Sequence, residues 1–170
     1  VLSLEIEQLR LKSLILKGEH DIKKADYQKW FADFKARYNI PEGWRICGEN
    51  CYATHSIHYS NLRSYFYVHS IWNDKNVCLS FDDTKEWCEL LGLIFVDVIY
   101  NGLFSSDAIN DAIKYVNSSK DEGFVIRNAS EFTFSMFRKN VAKWVRKNHV
   151  RTQAHWAQQE IIKNKLLSDA

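Results

Sequence analysis

The chain has 170 residues, of which 46% are apolar and 14% aromatic, with one proline and six glycines. This composition excludes a disordered or fibrous protein and suits one folded domain with a sizeable core. No apolar run approaches the roughly 20 residues of a membrane span, and the first 16 residues are too polar for a signal peptide, so we predict a cytoplasmic protein without a membrane partner.

Hydrophobic periodicity predicts helices and strands that follow one another along the whole chain. Ser105 or Ser106 is expected to cap one helix, and Gly92 to end another. The predicted helices cover residues 2–16, 21–38, 82–91, 106–116 and 152–167, and the predicted strands cover residues 44–49, 64–72, 77–80, 93–100, 122–127 and 141–149, with a short helical or irregular spacer at 135–140. This order predicts an α+β domain with mainly antiparallel sheets and flanking helices.

One stretch departs from the near-neutral charge of the chain. The net charge is +2, yet residues 132–159 contain no acidic residue and six fixed cations. Without these six, 17 basic and 21 acidic residues remain, a net charge of −4. The six are Arg138, Lys139, Lys143, Arg146, Lys147 and Arg151. A cationic block in such a chain predicts an anionic ligand and favours phosphate.

Side-chain alternation along the last predicted strand separates its cations. Lys143, Val145 and Lys147 share one face, while Trp144 and Arg146 share the other. Either face could simply be solvated, so spacing leaves open which cation binds phosphate. The same ambiguity applies to Arg127, at the end of the preceding strand.

Two pairs of glutamate and glycine stand at strand ends: Gly48-Glu49 and Glu122-Gly123. A carboxylate there could accept a ribose hydroxyl or hold a metal, and the glycine could let a ligand approach the backbone. The alternative is a surface glutamate in a turn. His69 is the polar residue in an aromatic strand; a lone histidine is more often structural, but an imidazole near a phosphate site could stack on a base.

Together, these stretches resemble the nucleotidyltransferase domain of ATP-dependent RNA ligases, in particular the bacterial and phage family related to the second RNA ligase of phage T4. The resemblance runs from about residue 26 to residue 156 and is specific in its combination and order. Four stretches carry it: residues 41–53 with 55–57, 65–72, 122–127 and 143–150.

The resemblance implies a function. In the family, a lysine attacks the α-phosphate of ATP, AMP passes to an RNA 5′-phosphate, and a 3′-hydroxyl displaces it, with Mg²⁺ or Mn²⁺. RNA and ATP are therefore the expected partners, and ATP and the metal the expected cofactors. By position, Glu49 would contact the ribose, His69 would take the place of the aromatic residue that stacks on adenine, and Glu122 would bind the metal or the nucleotide. Phosphates would be held by three or four cations: Arg127, Lys143, Arg146 and, as an open alternative, Lys147.

The sequence also departs from the family. Its nucleophile motif, Lys-x-Asp-Gly, is not found; residues 24–27 have the lysine and the acid but Tyr27 where glycine is needed, within a predicted helix. We therefore expect an atypical helical segment at 1–25 and a partial ligase domain at 26–170, an N-terminally truncated form that is not self-sufficient. Catalytic roles then fall to Glu122, Lys143 and Arg146. The alternatives are a non-catalytic nucleotide- or RNA-binding remnant, or a nucleotidyltransferase of the DNA ligase or capping type.

Overall fold

The computed structural model describes residues 22–54, 58–119, 121–147 and 162–169. The predicted helix at 2–16 and most of the one at 152–167 lie outside these ranges. The described helices are α1 (Ile22–Ala36), α2 (Phe81–Leu91), α3 (Ser106–Ser118) and α4 (Phe137–Asn140). The described strands are β1 (Arg45–Asn50), β2 (Phe66–Trp72), β3 (Val77–Cys78), β4 (Ile94–Phe95), β5 (Gly123–Arg127), β6 (Phe132–Thr133) and β7 (Val141–Val145). The predicted α+β class is confirmed.

Local capping sets the ends of the two central helices. At the start of α2, Ser80 Oγ accepts a hydrogen bond from the Asp83 backbone N–H at 3.1 Å, and at the start of α3 Ser105 Oγ accepts one from Ala108 N–H at 3.1 Å. Gly92 ends α2 in the left-handed conformation, with φ of 68°. The predicted caps are therefore confirmed, with Ser105 rather than Ser106 at the N-cap.

Five strands form the main sheet in the order β1-β2-β3-β6, with β4 beside β2. All pairs are antiparallel except β2 with β4. The prediction of a strand over 93–100 was wrong beyond Phe95. Val96 N–H still donates to Val68 O at 2.9 Å, but Asp97 then pairs with Arg63, and the chain leaves the sheet. β6 was not predicted, because two residues are too few to show an alternating pattern.

The two longest strands pair with a register shift between Cys47 and Gly48, which leaves His69 as an extra residue in β2. This bulge reverses the alternation of side chains. Before it, Phe66 and Val68 pack in a core cluster with residues of α1 and α2, and after it Ile71 joins the same cluster. Trp72 instead packs on the opposite face of the sheet.

That opposite face carries a cluster that joins the main sheet to a second, two-stranded sheet of β5 and β7. Cys47, Trp72, Cys78 and Phe132 form the cluster, and Val141 at the start of β7 packs against it. On the other side of the small sheet, α3 contacts β5. The main sheet therefore has helices on one face and the β5–β7 sheet on part of the other.

The prediction of a helix over 152–167 was wrong for its described end. Residues 162–166 are extended, with single bridges from Lys163 to Ala53 and from Leu166 to Leu62, and a 3₁₀ turn follows at Leu167–Asp169. The cause is Asn164, which is 2% exposed. Its amide donates to the carbonyls of Cys51 and Ala53 and accepts from the Thr54 hydroxyl and the Tyr59 N–H, contacts that a helical residue could not make.

No helix in the described part of the chain is long and apolar enough to cross a membrane.

Removing the Phe66 ring is expected to destabilise the domain strongly. Phe66 is 2% exposed and packs against Phe34, with 5.0 Å between ring centroids. We expect Phe66→Ala to lower the free energy of unfolding by about 3–5 kcal/mol in urea titrations. The control is Leu90→Ala, because Leu90 is 75% exposed and should change it by no more than about 0.5 kcal/mol. Equal effects of the two substitutions would contradict the assigned core.

Candidate active site

The predicted site residues converge on the face of the main sheet that looks toward β5 and β7. Glu49 lies on this face of β1, because the preceding residue, Gly48, pairs with Val68, which packs on the opposite, helix-bearing face. On β2, His69 lies on the same side, because its ring contacts Ser70, which in turn contacts Trp72. Glu49 is therefore on the face that carries Cys47 and Trp72, and the His69 ring bonds to a residue of that face.

Arg127 at the end of β5 connects the small sheet to the main sheet. Its Nη1 donates to the carbonyl of His69 at 3.2 Å and its Nη2 to the carbonyl of Leu79 at 2.7 Å. Its Nε donates to the carbonyl of Asn128 at 3.2 Å, and the guanidinium lies 5.7 Å from the centre of the Phe132 ring. Each guanidinium nitrogen thus donates to a backbone carbonyl. A phosphate bound by Arg127, as predicted, would have to compete with these carbonyls for the N–H groups.

His69 is held in a chain of hydrogen bonds that uses only one of its two ring nitrogens. Trp72 Nε1 donates to Ser70 Oγ at 3.2 Å, and Ser70 Oγ lies 3.0 Å from His69 Nδ1. The other ring nitrogen, Nε2, is buried and has no hydrogen-bond partner among the described residues. Burial lowers the pKa of His69 from 6.5 to about 4, and the charge of Arg127 acts in the same direction. The imidazole is therefore neutral at pH 7.

An acidic end of the site surrounds Tyr59, which sequence reasoning missed. Burial raises the pKa of the Tyr59 hydroxyl, and the negative charges of Asp121, Glu122 and Glu49 raise it further. Charges of both predicted carboxylates therefore act on one phenol, although Glu49 lies in β1 and Glu122 directly before β5. The signal available in the sequence was the adjacent acid pair at 121–122, directly before a strand.

A divalent ion fits this acidic end only with help from a substrate. Among the described residues, no group of three or more His, Cys, Asp or Glu side chains is close enough to form a complete metal site. Mg²⁺ is commonly held by one or two carboxylates together with substrate phosphates, rather than by a full cage of protein ligands. Glu122 would supply one such carboxylate.

The register of β5 and β7 separates the candidate cations. Lys143 pairs with Val125 and is exposed, so it shares a face with Arg127, which turns toward the main sheet. Trp144, on the opposite face, stacks on Phe124 with 5.3 Å between ring centroids. The strand ends at Val145, and Arg146 follows with Nη1 3.4 Å from the carbonyl of Ser119. Lys143 is thus the β7 cation on the face toward the main sheet, and Lys147 is exposed beyond the strand.

Close packing explains why glycine stands beside each of the two glutamates. A Cβ at Gly48 would lie 2.4 Å from the carbonyl of Tyr67, and one at Gly123 would lie 2.2 Å from the carbonyl of Trp144. Both glycines are therefore required by close contact with the neighbouring strand. The interpretation that they admit a ligand to the backbone is not needed to explain them.

Residues 24–27, the nearest approach to a nucleophile motif, lie in α1 as predicted. Tyr27, which stands where the motif needs glycine, is 5% exposed, and its hydroxyl accepts a hydrogen bond from Asn50 Nδ2 at 2.9 Å. Tyr27 thus belongs to the core between α1 and β1.

The model of the RNA ligase family matches residues 8–145, most of the chain, including β1, β2, β5 and β7. The chain belongs to the RNA ligase family. Neither the curated proteins nor the solved structures contain a significant match to it. Membership supports a ligase-type function, and the α+β fold described above is consistent with an RNA ligase domain.

Arg127→Met should weaken the connection between the sheets. It removes the donors to the carbonyls of His69 and Leu79, and we expect the free energy of unfolding to fall by roughly 2–4 kcal/mol. The control is Arg138→Met, which removes the same charge from an exposed position in α4. It should change the free energy of unfolding by no more than about 0.5 kcal/mol. If both variants unfold at the same urea concentration, Arg127 does not stabilise this junction.

The stability of the chain should also depend on the protonation of His69. Between pH 6.5 and about pH 4 the unfolded histidine is protonated and the folded one is neutral. The folded state then binds fewer protons, so stability decreases as the pH falls through this window, by at most about 3 kcal/mol. Urea titrations of His69→Phe should show a shallower decline than the unsubstituted chain. If both chains lose stability equally as the pH falls, the pKa of His69 is not depressed in the folded state.

Proposed function

We propose that this chain is an ATP-dependent RNA ligase nucleotidyltransferase domain that binds the nucleotide between β1–β2 and the β5–β7 sheet. The proposal is carried by the junction of the two sheets in a member of the RNA ligase family, where Arg127 of β5 bonds to the carbonyl of His69 in β2 and carboxylates from both sheets act on Tyr59. Glu122 lies beside Arg146 at one end of the small sheet, and Lys143 lies further along the same sheet. Carboxylates and cations together suit a ligand with a sugar, a base and a polyphosphate.

In the proposed complex, Glu49 accepts a hydrogen bond from the ribose and His69 lies against the nucleoside. Lys143 neutralises phosphate charge, assisted by Arg146 or Lys147 from the end of the strand. Glu122 would hold Mg²⁺ or Mn²⁺, which supplies further charge neutralisation for phosphoryl transfer when it is bound. Positioning and charge neutralisation supply most of the catalysis of phosphoryl transfer, so these residues would supply much of what the reaction requires.

The attacking lysine is the part that this chain does not supply in recognisable form. The sequence holds no Lys-x-Asp-Gly, and residues 24–27 place the buried Tyr27 at the glycine position. We propose that the chain alone binds ATP but forms no covalent lysyl–AMP. This observation also favours a second candidate function, a non-catalytic nucleotide- or RNA-binding module with the same basic strand.

Two measurements separate these functions. Incubation with radiolabelled ATP, followed by a denaturing gel, should give no labelled band, and a band would reveal a nucleophile outside the motif. Ligation of nicked or single-stranded RNA is then assayed with pre-adenylylated RNA, which bypasses the lysine. Sealing supports a ligase domain, whereas salt-dependent RNA binding without sealing supports the non-catalytic module. A preference for DNA ends over RNA ends would favour the DNA ligase branch.

Lys143 is expected to contribute more to ATP binding than any surface lysine outside the site. Lys143→Met should raise the Kd for ATP about tenfold or more in calorimetric titrations, because it removes a charge-assisted contact to phosphate. Lys85→Met removes the same charge from the exposed face of α2 and serves as the control. Equal affinities of the two variants would exclude Lys143 from the phosphate site.

A further inference from the structure

The hydrogen-bond chain on β2 determines where the proton of His69 lies. An indole N–H can only donate, so Ser70 Oγ accepts from Trp72 Nε1 at 3.2 Å. The Ser70 hydroxyl still has its own proton, and His69 Nδ1 lies 3.0 Å away to accept it. A neutral imidazole whose Nδ1 accepts carries its proton on Nε2. Among the described residues Ser70 Oγ has no other partner, so the arrangement that pairs its proton makes Nδ1 the acceptor and His69 a donor through Nε2.

That donor has no partner in the described protein. Nε2 is buried, and no described residue offers it an acceptor. Buried N–H groups are nearly always paired, because an unpaired one has lost its bond to water without replacement. The bulge at His69, whose carbonyl accepts from Arg127, fixes the backbone that aims this ring. The strand thus holds an oriented donor on the face that also carries Glu49.

We infer that His69 donates a hydrogen bond from Nε2 to an acceptor on the bound nucleoside, either a ring nitrogen of the base or a ribose oxygen. This inference rests on the proposed nucleotide site and goes beyond stacking. An aromatic hydrocarbon ring at this position offers a face but no donor. The chain would therefore bind nucleotides that carry this acceptor more tightly than those that lack it. A phenylalanine at position 69 would not distinguish them.

Ser70 is a positioning residue in this arrangement. Without its hydroxyl, nothing among the described residues holds Nδ1 as the acceptor, and the proton can move to either ring nitrogen. Ser70→Ala should therefore shift the tautomer without changing the imidazole itself, and Ser70→Thr, which keeps the hydroxyl, should restore it. A residue that merely filled space would leave the tautomer unchanged.

The first experiment measures the tautomer directly by ¹⁵N nuclear magnetic resonance of the imidazole in the full chain, without nucleotide. We expect His69 to be protonated at Nε2 in the unsubstituted chain and in Ser70→Thr, and to show a mixture in Ser70→Ala. A His69 protonated at Nδ1, or one that is indifferent to Ser70→Ala, would overturn the assigned donor.

The second experiment is a cycle of variants and nucleotide analogues read by calorimetry. Affinities of the unsubstituted chain and of His69→Phe are measured for ATP, for 1-deaza-, 3-deaza- and 7-deaza-ATP, and for 2′-deoxy- and 3′-deoxy-ATP. The analogue that lacks the acceptor should bind about tenfold more weakly than ATP to the unsubstituted chain and equally to His69→Phe. The cycle subtracts any general disturbance caused by the substitution.

The outcomes separate the two proposals. If the unsubstituted chain binds ATP and no analogue shows a loss that depends on His69, the donor assignment is overturned while the nucleotide site remains. If the chain binds none of the nucleotides, the proposed nucleotide site fails, and the inference built on it fails with it. A deaza analogue that shows the coupling identifies the base as the source of the acceptor, and a deoxy analogue identifies the ribose.

Discussion

The guanidinium of Arg127 is the interaction on which the site depends. A two-stranded sheet is marginally stable alone, and β5–β7 is held by α3 on one face and by the Val141 contact on the other. Arg127 adds charge-assisted hydrogen bonds to two carbonyls of the main sheet and its connections. Because these bonds fix the end of β5, they also fix the position of its partner strand β7, in which Lys143 pairs with Val125.

The bulge in β2 resolves a packing conflict and also provides a carbonyl that joins the two sheets. An unbroken strand would place Phe66, Val68 and Trp72 on one face, yet the first two pack toward the helices and Trp72 packs toward Phe132. An extra residue at His69 reverses the alternation between them. Its carbonyl, which leaves the regular ladder, accepts from Arg127, so the bulge and the junction of the sheets stabilise one another.

The sequence predicted the elements that have their own periodicity and caps, such as α3 behind Ser105 and β2 with its aromatic residues. It failed where long-range contacts decide the conformation. Asn164 holds an extended segment through residues more than a hundred positions away, and no local pattern could reveal that. In the site, the faces of Lys143 and Trp144 followed from alternation, but the contacts of Arg127 and the acidic surroundings of Tyr59 required the pairing of distant strands.

Strand geometry also distinguishes the cations that remained open from sequence alone. Five residues separate Glu122 from Arg127, which is roughly 17 Å along an extended strand. Lys143 stands opposite Val125, between these two ends, and is exposed. Arg146, whose backbone N–H donates to the carbonyl of Glu122 at 2.8 Å, lies at the Glu122 end. Arg127, with its nitrogens bonded to carbonyls, fixes the position of His69. Of the two cations on this face of the small sheet, Arg127 therefore binds backbone carbonyls and holds the sheets together, whereas the side chain of Lys143 is exposed.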